Sequence, residues 1–470
     1  MHGSKAHRRA PHASGFGYGS TGVSNGDQIR ERVEADMPRL RTELEDLVRI
    51  PSVSGPDQDD AQIRRAYEML VELFAGAGLQ SIRSLDLPAS NPILLGEIPA
   101  PDGAPTVLLY SHYDVVAAGD ESKWDSPPFE PTERGGALFG RGTADTKSNV
   151  MVHVGALRAF AGRPPVGIKV VIEGSEESGG DFVDYPPTDP ELFACDAIVI
   201  ADAGAVRPGV PTLTVALRGT TKIVIEAETL DSPKHSGQFG GAAPDALLAV
   251  IHAIASLHDS NGDVAVPGLR REPWSGESYT EQELRELAGV DAGQPLVGTG
   301  DIGSRVWSGP AITVTGMDVV PVRDAVNAIP ARARASLDVR FHPEQDAQEA
   351  QRLVIDFLAA QRPFGIKLEA SAGMVGTGFA AQTGGPAYAA ASEAWESAYG
   401  TPPVFAATGG SIPLVNALAA AAPEAEVLLI GACDDYANIH GPNERLLLDE
   451  FERTVIAEAE FFARLAARGR

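Results

Sequence analysis

The sequence predicts an α/β fold, in which a layered domain with a central mixed, mostly parallel sheet carries a smaller, inserted α+β domain. Short apolar strands alternate with helices as far as about Ala201, a pattern typical of a layered α/β sheet. From Leu213 the order becomes strand, strand, helix, strand, strand, helix, which indicates a separate α+β unit. A helix and a short strand follow after Ala387, so we expect the chain to re-enter the first domain there.

The helices are predicted from apolar residues that recur at steps of three and four. The first begins at about Asp27 and ends before Pro51, because the residue before a proline is pushed out of the helical region. Further helices are expected at about 60–77, 150–160, 244–257, 344–360, 387–399 and 449–465. Apolar runs predict strands at 93–98, 106–110, 167–173, 197–201, 213–217, 222–227, 311–315, 331–340 and 426–430. Of these, 213–217 and 222–227 are expected to pair with each other.

The composition of the 470 residues excludes several classes of partner. Lys and Arg number 38 and Asp and Glu 64, a net charge of 38 − 64 = −26, so no nucleic-acid partner is expected. Two cysteines are too few for a disulfide framework. No apolar run approaches the roughly 20 residues that cross a bilayer, so no membrane partner is expected. Residues 1–27 are interpreted as a disordered tail without a secretory signal, and we expect a cytoplasmic protein.

Acidic and imidazole side chains follow predicted strands at four places. His112 and Asp114 follow the strand at 106–110, and the pair Glu176-Glu177 follows the strand at 167–173. Asp202 follows the strand at 197–201, and His440 lies in the loop after the strand at 426–430. Ligands of open α/β sheets bind beyond the carboxyl ends of the strands, so we expect these side chains to converge on one rim.

Two histidines and several carboxylates at one rim suit a divalent metal site. Together with Asp145, in the Gly-rich loop before a helix, there are enough ligands for two ions that share one carboxylate and activate a water between them. Neighbouring side chains of an extended segment point in opposite directions, so one glutamate of the pair 176–177 can bind metal while the other acts as a base. Taken singly, each feature also has an ordinary interpretation: His-x-Asp is often incidental, and paired glutamates are often solvated.

The motifs, in their order along the chain, resemble those of the M20 metallopeptidases. The run Ser111 to Val116 resembles the family's first metal motif, and Gly140-Arg141-Gly142 precedes an aspartate as it does there. The segment 173–179 resembles the catalytic pair of glutamates, and the segment 440–444 resembles the terminal histidine motif. The resemblance covers residues 28 to 470 and is closest to the carnosinase-like dipeptidase branch.

The resemblance implies a ligand set and a catalytic base. One ion would be held by His112, Asp145 and Asp202, and the other by Asp145, Glu177 and His440. Glu176 would be the general base, and Asp114 would orient His112. The two ions would be zinc, with manganese and cobalt as alternatives.

The resemblance also implies two domains and a dimer. Residues 28–215 and 379–470 would form the catalytic dimetal domain, and 216–378 a lid that builds a homodimer. His235 would reach the partner's site and stabilise the oxyanion there. Asn327, Arg340, Gly410 and Ser411 would bind the substrate, with Arg340 on its terminal carboxylate.

The expected activity is hydrolysis of dipeptides or short peptides that have a free terminal carboxylate. The alternative is an N-acyl-amino-acid amidohydrolase of the aminoacylase or deacylase type, with the same machinery and a different pocket. A non-catalytic binding protein that retains the fold is the third interpretation. It is disfavoured because His112, Asp145, Glu176, Glu177 and His440 are all present.

Thr408 stands where many dipeptidases of the branch have glutamate, and residues 146–148 also depart from the family pattern.

Overall fold

The structure is a computed structural model that describes residues 25–56, 58–410 and 412–469. Residues 1–24 of the expected tail, and Ser411, lie outside the described residues. The end of that expected tail is wrong, because residues 25–27 already belong to the first helix, Asn25–Val48. Ile29, Val33, Leu40 and Leu44 form its buried stripe, at the helical spacing that the sequence predicts.

A large mixed sheet forms the centre of the molecule, as predicted. Parallel pairing joins its four central strands, and antiparallel strands flank them on both sides. Its strands, in spatial order, are Gln80–Leu85, Ile93–Ile98, Gly167–Glu173, Thr106–His112, Ala197–Ala201, Glu426–Ile430, Thr212–Leu217 and Phe379–Ala380, and Val404–Thr408 also pairs with Thr212–Leu217.

Helices cover both faces of this sheet, because its central strands are apolar on both sides. Val107 and Leu109 point to one core and Leu108 and Tyr110 to the other, as the alternation of a strand requires. The first core is built with the helices Asn25–Val48, Asp60–Gly76, Lys147–Arg158, Pro386–Tyr399 and Leu448–Arg468. The second is built with Pro413–Ala421, Pro190–Phe193 and the 3-10 turns Asp181–Asp184 and Pro186–Thr188.

A four-stranded antiparallel sheet with its own core lies between the two parts of the large sheet in sequence. Its strands, in spatial order, are Ala311–Asp318, Arg332–Phe341, Gly219–Glu228 and Glu369–Gly376. The helices Ala246–Ala255 and Ala347–Ala360 pack on it. This arrangement is the α+β unit that the order of predicted elements indicates.

The expected pairing of 213–217 with 222–227 is wrong. Thr212–Leu217 pairs with Val404–Thr408 in the large sheet, whereas Gly219–Glu228 pairs with Arg332–Phe341 in the small one. The chain changes sheets at Arg218 and Gly219. A side chain on Gly219 would overlap the buried ring of Phe341, so the crossing needs glycine.

The polar stretch 259–308 contains two short helices, Glu281–Leu287 and Ile302–Val306. Trp274, Tyr279 and Trp307 form an aromatic cluster that packs with Val206 and Ala406 of the large-sheet domain.

The remaining short helices are Glu121–Lys123, Ser236–Phe239, Val322–Asp324 and Pro363–Gly365. The remaining short strands are Thr132–Arg134, Ala137–Phe139, Gly204–Ala205, Lys234–His235, Ala328–Ile329, Cys433–Asp434 and Arg445–Leu447. Within the described ranges, every helix is too short or too polar to span a bilayer.

Candidate active site

The candidate active site lies beyond the carboxyl ends of the parallel strands. His112 is the last residue of Thr106–His112, and Asp202 directly follows Ala197–Ala201. Glu176 and Glu177 follow Gly167–Glu173 after a two-residue turn. The parallel register aligns these ends, because His112 lies opposite Glu173 and Tyr110 opposite Ile200. The predicted convergence on one rim is therefore confirmed.

Asp145 lies between the two histidines. Its Oδ1 is 3.2 Å from Nε2 of His112, and its Oδ2 is 3.1 Å from Nε2 of His440. The Nε2 of His112 also lies 3.4 Å from Oδ1 of Asp202, and the Nε2 of His440 lies 3.0 Å from Oε1 of Glu177. The five side chains thus form two triads that share Asp145, each with ligand atoms within 4.8 Å of one another.

Glu176 lies beside the two triads, with a ligand atom within 4.8 Å of His112 and Glu177. Burial raises the pKa of its carboxyl to about 9, and the nearby negative charge of Asp202 adds to that shift. Cations close to this carboxyl group would stabilise its ionised form, because an opposite charge within a few ångströms favours the charged state.

Asp114 connects His112 to the pair of glutamates. Its Oδ1 and Oδ2 accept hydrogen bonds from the main-chain N–H groups of Glu176 and Glu177, each at 3.1 Å. The hydroxyl of Ser54 donates to Oδ2 at 2.6 Å. Nδ1 of His112 lies 3.1 Å from the main-chain oxygen and 3.4 Å from Oδ1 of Asp114. Asp114 thus holds the turn that carries the glutamates and leaves Nε2 of His112 for the cluster.

The electrostatics of the cluster suit divalent cations. Burial alone lowers the pKa of His112, but hydrogen bonds to Asp114, Asp145 and Asp202 raise it well above its ordinary value. Hydrogen bonds to Asp145 and Glu177 raise the pKa of His440 to about 10. The imidazoles thus counter an excess of buried carboxylate charge. Two imidazoles with several carboxylates are donors that zinc and similar ions accept, so the residues present fit such a metal.

Glu444 supports the shared aspartate, a role that the sequence alone did not reveal. Its Oε1 accepts the main-chain N–H groups of Ala144 and Asp145 at 2.9 and 3.1 Å. Its Oε2 lies 2.6 Å from Nη1 of Arg141, and both side chains are buried. The position of Glu444 at the end of the run from His440 was visible in the sequence. Its hydrogen-bond partners, some 300 residues earlier, were not.

The predicted lid residues form a separate group. His235 lies opposite Ala328 in a two-stranded ladder, and the N–H of Ser236 donates to the carbonyl of Asn327. His235 is exposed, and neither it nor Asn327 is among the residues that line the cavity at the cluster. The structure therefore brings the segments of His235 and Asn327 together, and neither residue lines the cavity at the metal-ligand candidates of their own chain.

Arg340 and Gly410 lie near the cavity, whereas Ser411 falls outside the described residues. Nη1 of Arg340 donates to the carbonyl of Gly409 at 3.2 Å, and its Nε lies 3.0 Å from Oδ2 of Asp338. Gly410 lines the cavity directly. Arg340 thus contacts the loop next to the cavity while already paired with an acid.

The cavity at the cluster has a volume of about 460 Å³. Acidic side chains and His440 line it. Five apolar residues also line it and are called the apolar wall: Val206, Ala406, Ala407, Ile412 and Ile439, of which the first three pack in one cluster. A cavity with both kinds of lining can hold a polar reacting group and an apolar substituent together.

A family model described as peptidase family M20/M25/M40 matches residues 108–466. The chain belongs to this family. This confirms the family suggested by the motifs, and it makes the chain an M20 peptidase. The residues of the two triads, together with Asp114, Glu176 and Glu444, all fall within the matched range.

Relatives of this M20 chain include two dipeptidases. It is 40% identical over 435 residues to the cysteinylglycine-S-conjugate dipeptidase of Corynebacterium striatum, covering 90% of this chain and 94% of the relative. It is 27% identical over 458 residues to the Cys-Gly metallodipeptidase dug1 of Schizosaccharomyces pombe, covering 90% and 95%. The crystal structure of human carnosine dipeptidase 1 has the same fold, with a TM-score of 0.77 at 23% identity and coverage of 95% and 99%.

Proposed function

We propose that this M20 peptidase is a metal-dependent dipeptidase that hydrolyses dipeptides or short peptides with a free terminal carboxylate. The main support is Asp145, whose two oxygens each face a different imidazole. A carboxylate in that position is suited to bridge two cations. The names of the two dipeptidase relatives support dipeptides as the substrate class.

The two triads are the proposed metal sites. His112, Asp145 and Asp202 would hold one ion, and Asp145, Glu177 and His440 the other. Divalent ions there would polarise the scissile carbonyl and make water acidic enough to attack at neutral pH. We propose zinc as the metal, with manganese and cobalt as alternatives.

Glu176 is the proposed general base. It takes a proton from the attacking water as the new C–O bond forms. It then gives that proton to the leaving amine as the C–N bond breaks. Asp114 keeps Glu176 in place through its main-chain N–H, so the carboxylate that moves the proton is fixed to the same turn as Glu177.

The apolar wall supports a preference for the amino-terminal residue. Ala406 and Ala407 are small and Val206 and Ile412 are apolar, so an apolar or S-substituted side chain has room against them. The relative from Corynebacterium striatum is named for S-conjugates of cysteinylglycine. We therefore propose S-substituted cysteinylglycines, along with other dipeptides that begin with an apolar residue, as the substrate class.

The catalytic domain is proposed as residues 28–215 and 379–470, and the lid as residues 216–378. In a homodimer formed through the lid, His235 of the partner subunit would donate to the oxyanion of the tetrahedral intermediate. The exposure of His235 and its absence from the cavity of its own chain support a role in a second subunit.

The deciding experiment compares Glu176→Gln with Glu177→Gln. Glu176→Gln should keep both metals and lose at least about 10²-fold in kcat, because an amide cannot accept the water's proton. Glu177→Gln should lose metal, measured as metal content after dialysis. The substrates are S-methylcysteinylglycine and N-acetyl amino acids, tested with zinc, manganese or cobalt after chelation. Near wild-type turnover by Glu176→Gln would contradict the base assignment, and cleavage of only the N-acetyl amino acids would favour an amidohydrolase.

A further inference from the structure

Asp435 lines the cavity and takes no part in the proposed mechanism. Its side chain is exposed, so its carboxylate is accessible to a molecule in the cavity. The other acids of the lining are the proposed base, the proposed ligands and Asp434, which is buried and pairs with Arg445 at 2.8 Å. Asp435 is thus an accessible carboxylate of the cavity that the proposed chemistry leaves without a role.

The carboxyl group of Asp435 has a hydroxyl partner but no paired cation in the described part of the chain. Its Oδ2 accepts a hydrogen bond from the hydroxyl of Tyr279 at 2.5 Å. The positive charge of Arg207 acts on Asp435, but Arg207 already pairs with two other acids. Its Nη1 is 2.7 Å from Oε1 of Glu277, and its Nε is 2.7 Å from Oε1 of Glu283. The negative charge of Asp435 is therefore left for a cation from outside.

The surroundings of Asp435 favour a cation that also donates a hydrogen bond. Burial raises the pKa of Asp435 to about 6, and the charge of Asp434 adds to that shift, whereas the hydrogen bond from Tyr279 and the charge of Arg207 lower it. The carboxyl group is therefore ionised at neutral pH. Hydrogen bonds between two charged groups are roughly twice as strong as those between neutral ones, so an ammonium group is a suitable partner.

Asp435 lies beside the apolar wall. Its main-chain N–H donates to the carbonyl of Ala205, the residue before Val206, at 3.0 Å. The ring of Tyr279 packs against the cluster that contains Val206 and Ala406, and the hydroxyl of the same ring bonds Asp435. A side chain that follows the wall toward Tyr279 would therefore meet the carboxylate of Asp435.

We infer that Asp435 is a specificity-determining residue that binds a cationic group at the end of an apolar side chain on the amino-terminal residue of the substrate. The inference rests on the proposed dipeptidase function and refines its substrate class. The apolar stem would lie on the apolar wall, and its terminal ammonium would donate to Oδ1 of Asp435, the oxygen that Tyr279 does not bond. Tyr279 is a positioning residue, which holds the carboxylate from the proposed lid. Lysine and S-(2-aminoethyl)cysteine have such side chains.

The test measures binding without turnover, in zinc-loaded protein carrying Glu176→Gln. The ligands are S-(2-aminoethyl)cysteinylglycine and S-propylcysteinylglycine, which differ only in a terminal ammonium or methyl group, and calorimetry gives each Kd. Adding Asp435→Asn should weaken binding of the aminoethyl ligand about ten- to a hundredfold, the range for a hydrogen bond between charged groups. Binding of the propyl ligand should change less than about threefold. Equal weakening of both ligands, or no change in either, would overturn the inference.

Two further variants separate recognition from structure. Glu130→Gln removes an exposed acid that does not line the cavity, and it should leave the preference for the aminoethyl ligand unchanged. Tyr279→Phe keeps the ring in its cluster and removes the hydrogen bond to Asp435. It should lower the preference by a smaller factor than Asp435→Asn does, because the negative charge stays. A larger effect of Tyr279→Phe, or an equal effect of Glu130→Gln, would count against Asp435.

Turnover of the same two dipeptides separates this inference from the proposed function. With Glu176 restored, Asp435→Asn should raise KM for the aminoethyl dipeptide and leave kcat within about threefold, since the contact is made equally in the ground and transition states. If the wild-type enzyme cleaves neither dipeptide while the binding preference depends on Asp435, the proposed function fails and the subsite stands. If both are cleaved and the preference does not depend on Asp435, only the subsite fails.

Discussion

At the scale of single residues, the geometry of the site depends on acids that do not face the reacting atoms. Asp114 accepts the main-chain N–H groups of Glu176 and Glu177, and Glu444 accepts those of Ala144 and Asp145. Each therefore fixes a segment of backbone that carries a proposed ligand or base. A small movement of that backbone would move the ligand atoms directly, so these acids control the spacing of the two triads.

Glu444→Gln should weaken metal binding while leaving every proposed ligand in place. The amide cannot accept hydrogen bonds on both sides, so Arg141 or the N–H groups of Ala144 and Asp145 lose their partner. Loss of such supporting contacts typically costs about 10- to 100-fold in metal affinity. Competition with a chromophoric zinc chelator measures the change.

An exposed acid of the same domain provides the control for this prediction. Glu130→Gln removes one negative charge from the surface, and it should leave the chelator competition curve unchanged. A Glu444→Gln curve that superimposes on that of the wild-type protein would show that Glu444 does not position Asp145.

The convergence of His112, Asp202 and the pair Glu176-Glu177 could be predicted from the sequence because they stand at or just after the ends of apolar strands, and parallel strands bring their ends together. The role of Glu444 could not be predicted. It depends on contacts with residues far away in the chain, and Glu444 does not stand at the end of a strand of the large sheet. Local patterns contain no information about which main-chain N–H group a distant carboxylate meets.

At the scale of elements, most helices and strands could be predicted because their apolar spacing is regular. Gly167–Glu173, Ala197–Ala201 and Glu426–Ile430 begin and end where the sequence indicates. Val404–Thr408 and Glu369–Gly376 were missed. Glu369–Gly376 is mostly exposed, and Val404–Thr408 is short and only partly buried. A weak apolar pattern does not distinguish such strands from loops.

Gly219→Ala should destabilise the protein at the point where the chain changes sheets. The new Cβ would overlap the ring of Phe341, which is fully buried and cannot move aside without disturbing its neighbours. Overpacking of this kind costs about 1–3 kcal/mol of unfolding free energy. Urea unfolding followed by circular dichroism measures it.

Gly384→Ala is the matched control, because nothing lies within 4 Å of the Cβ that it would add. Its urea midpoint should stay close to that of the wild-type protein. If Gly219→Ala is as stable as Gly384→Ala, the close approach to Phe341 does not constrain the crossing.

At the scale of the whole molecule, the surface of the proposed lid carries exposed apolar side chains. Val322 is 94% exposed, Val326 76% and Val320 62%, and all three lie between the strands Ala311–Asp318 and Arg332–Phe341. Exposed apolar residues this close together are typical of surfaces that bind another protein. They agree with a homodimer formed through the lid, which stays a prediction.

Mixing two inactive variants tests whether His235 acts across a dimer. His235→Ala removes a proposed oxyanion donor, which typically costs about 10²–10³-fold in kcat, and Glu176→Gln removes the proposed base. In a mixed dimer, one site would combine the intact Glu176 of the first variant with the intact His235 of the second. Up to about half of the sites in mixed dimers should recover activity, measured after subunit exchange.

The control mixes Glu176→Gln with His112→Ala. Both changes fall in the cluster of a single chain, so each site of a mixed dimer keeps one defect and should stay inactive. Equal recovery in both mixtures, or none in the His235→Ala mixture despite demonstrated exchange, would mean that His235 does not act in a second subunit.

The position of Glu426–Ile430 also determines when the molecule can become active during its synthesis. This strand lies between Ala197–Ala201 and Thr212–Leu217, yet the ribosome makes it more than two hundred residues after either. Until it emerges, both neighbouring strands keep unpaired edges, which are prone to join other chains. His440 and Glu444 come ten and fourteen residues after its last residue, Ile430. Until they are made, the nascent chain has neither the second proposed histidine ligand nor the support of Asp145 by Glu444. With the proposed metal sites, completion of the sheet and tight capture of metal would therefore be coupled late events, and a partly made chain would not cleave peptides prematurely.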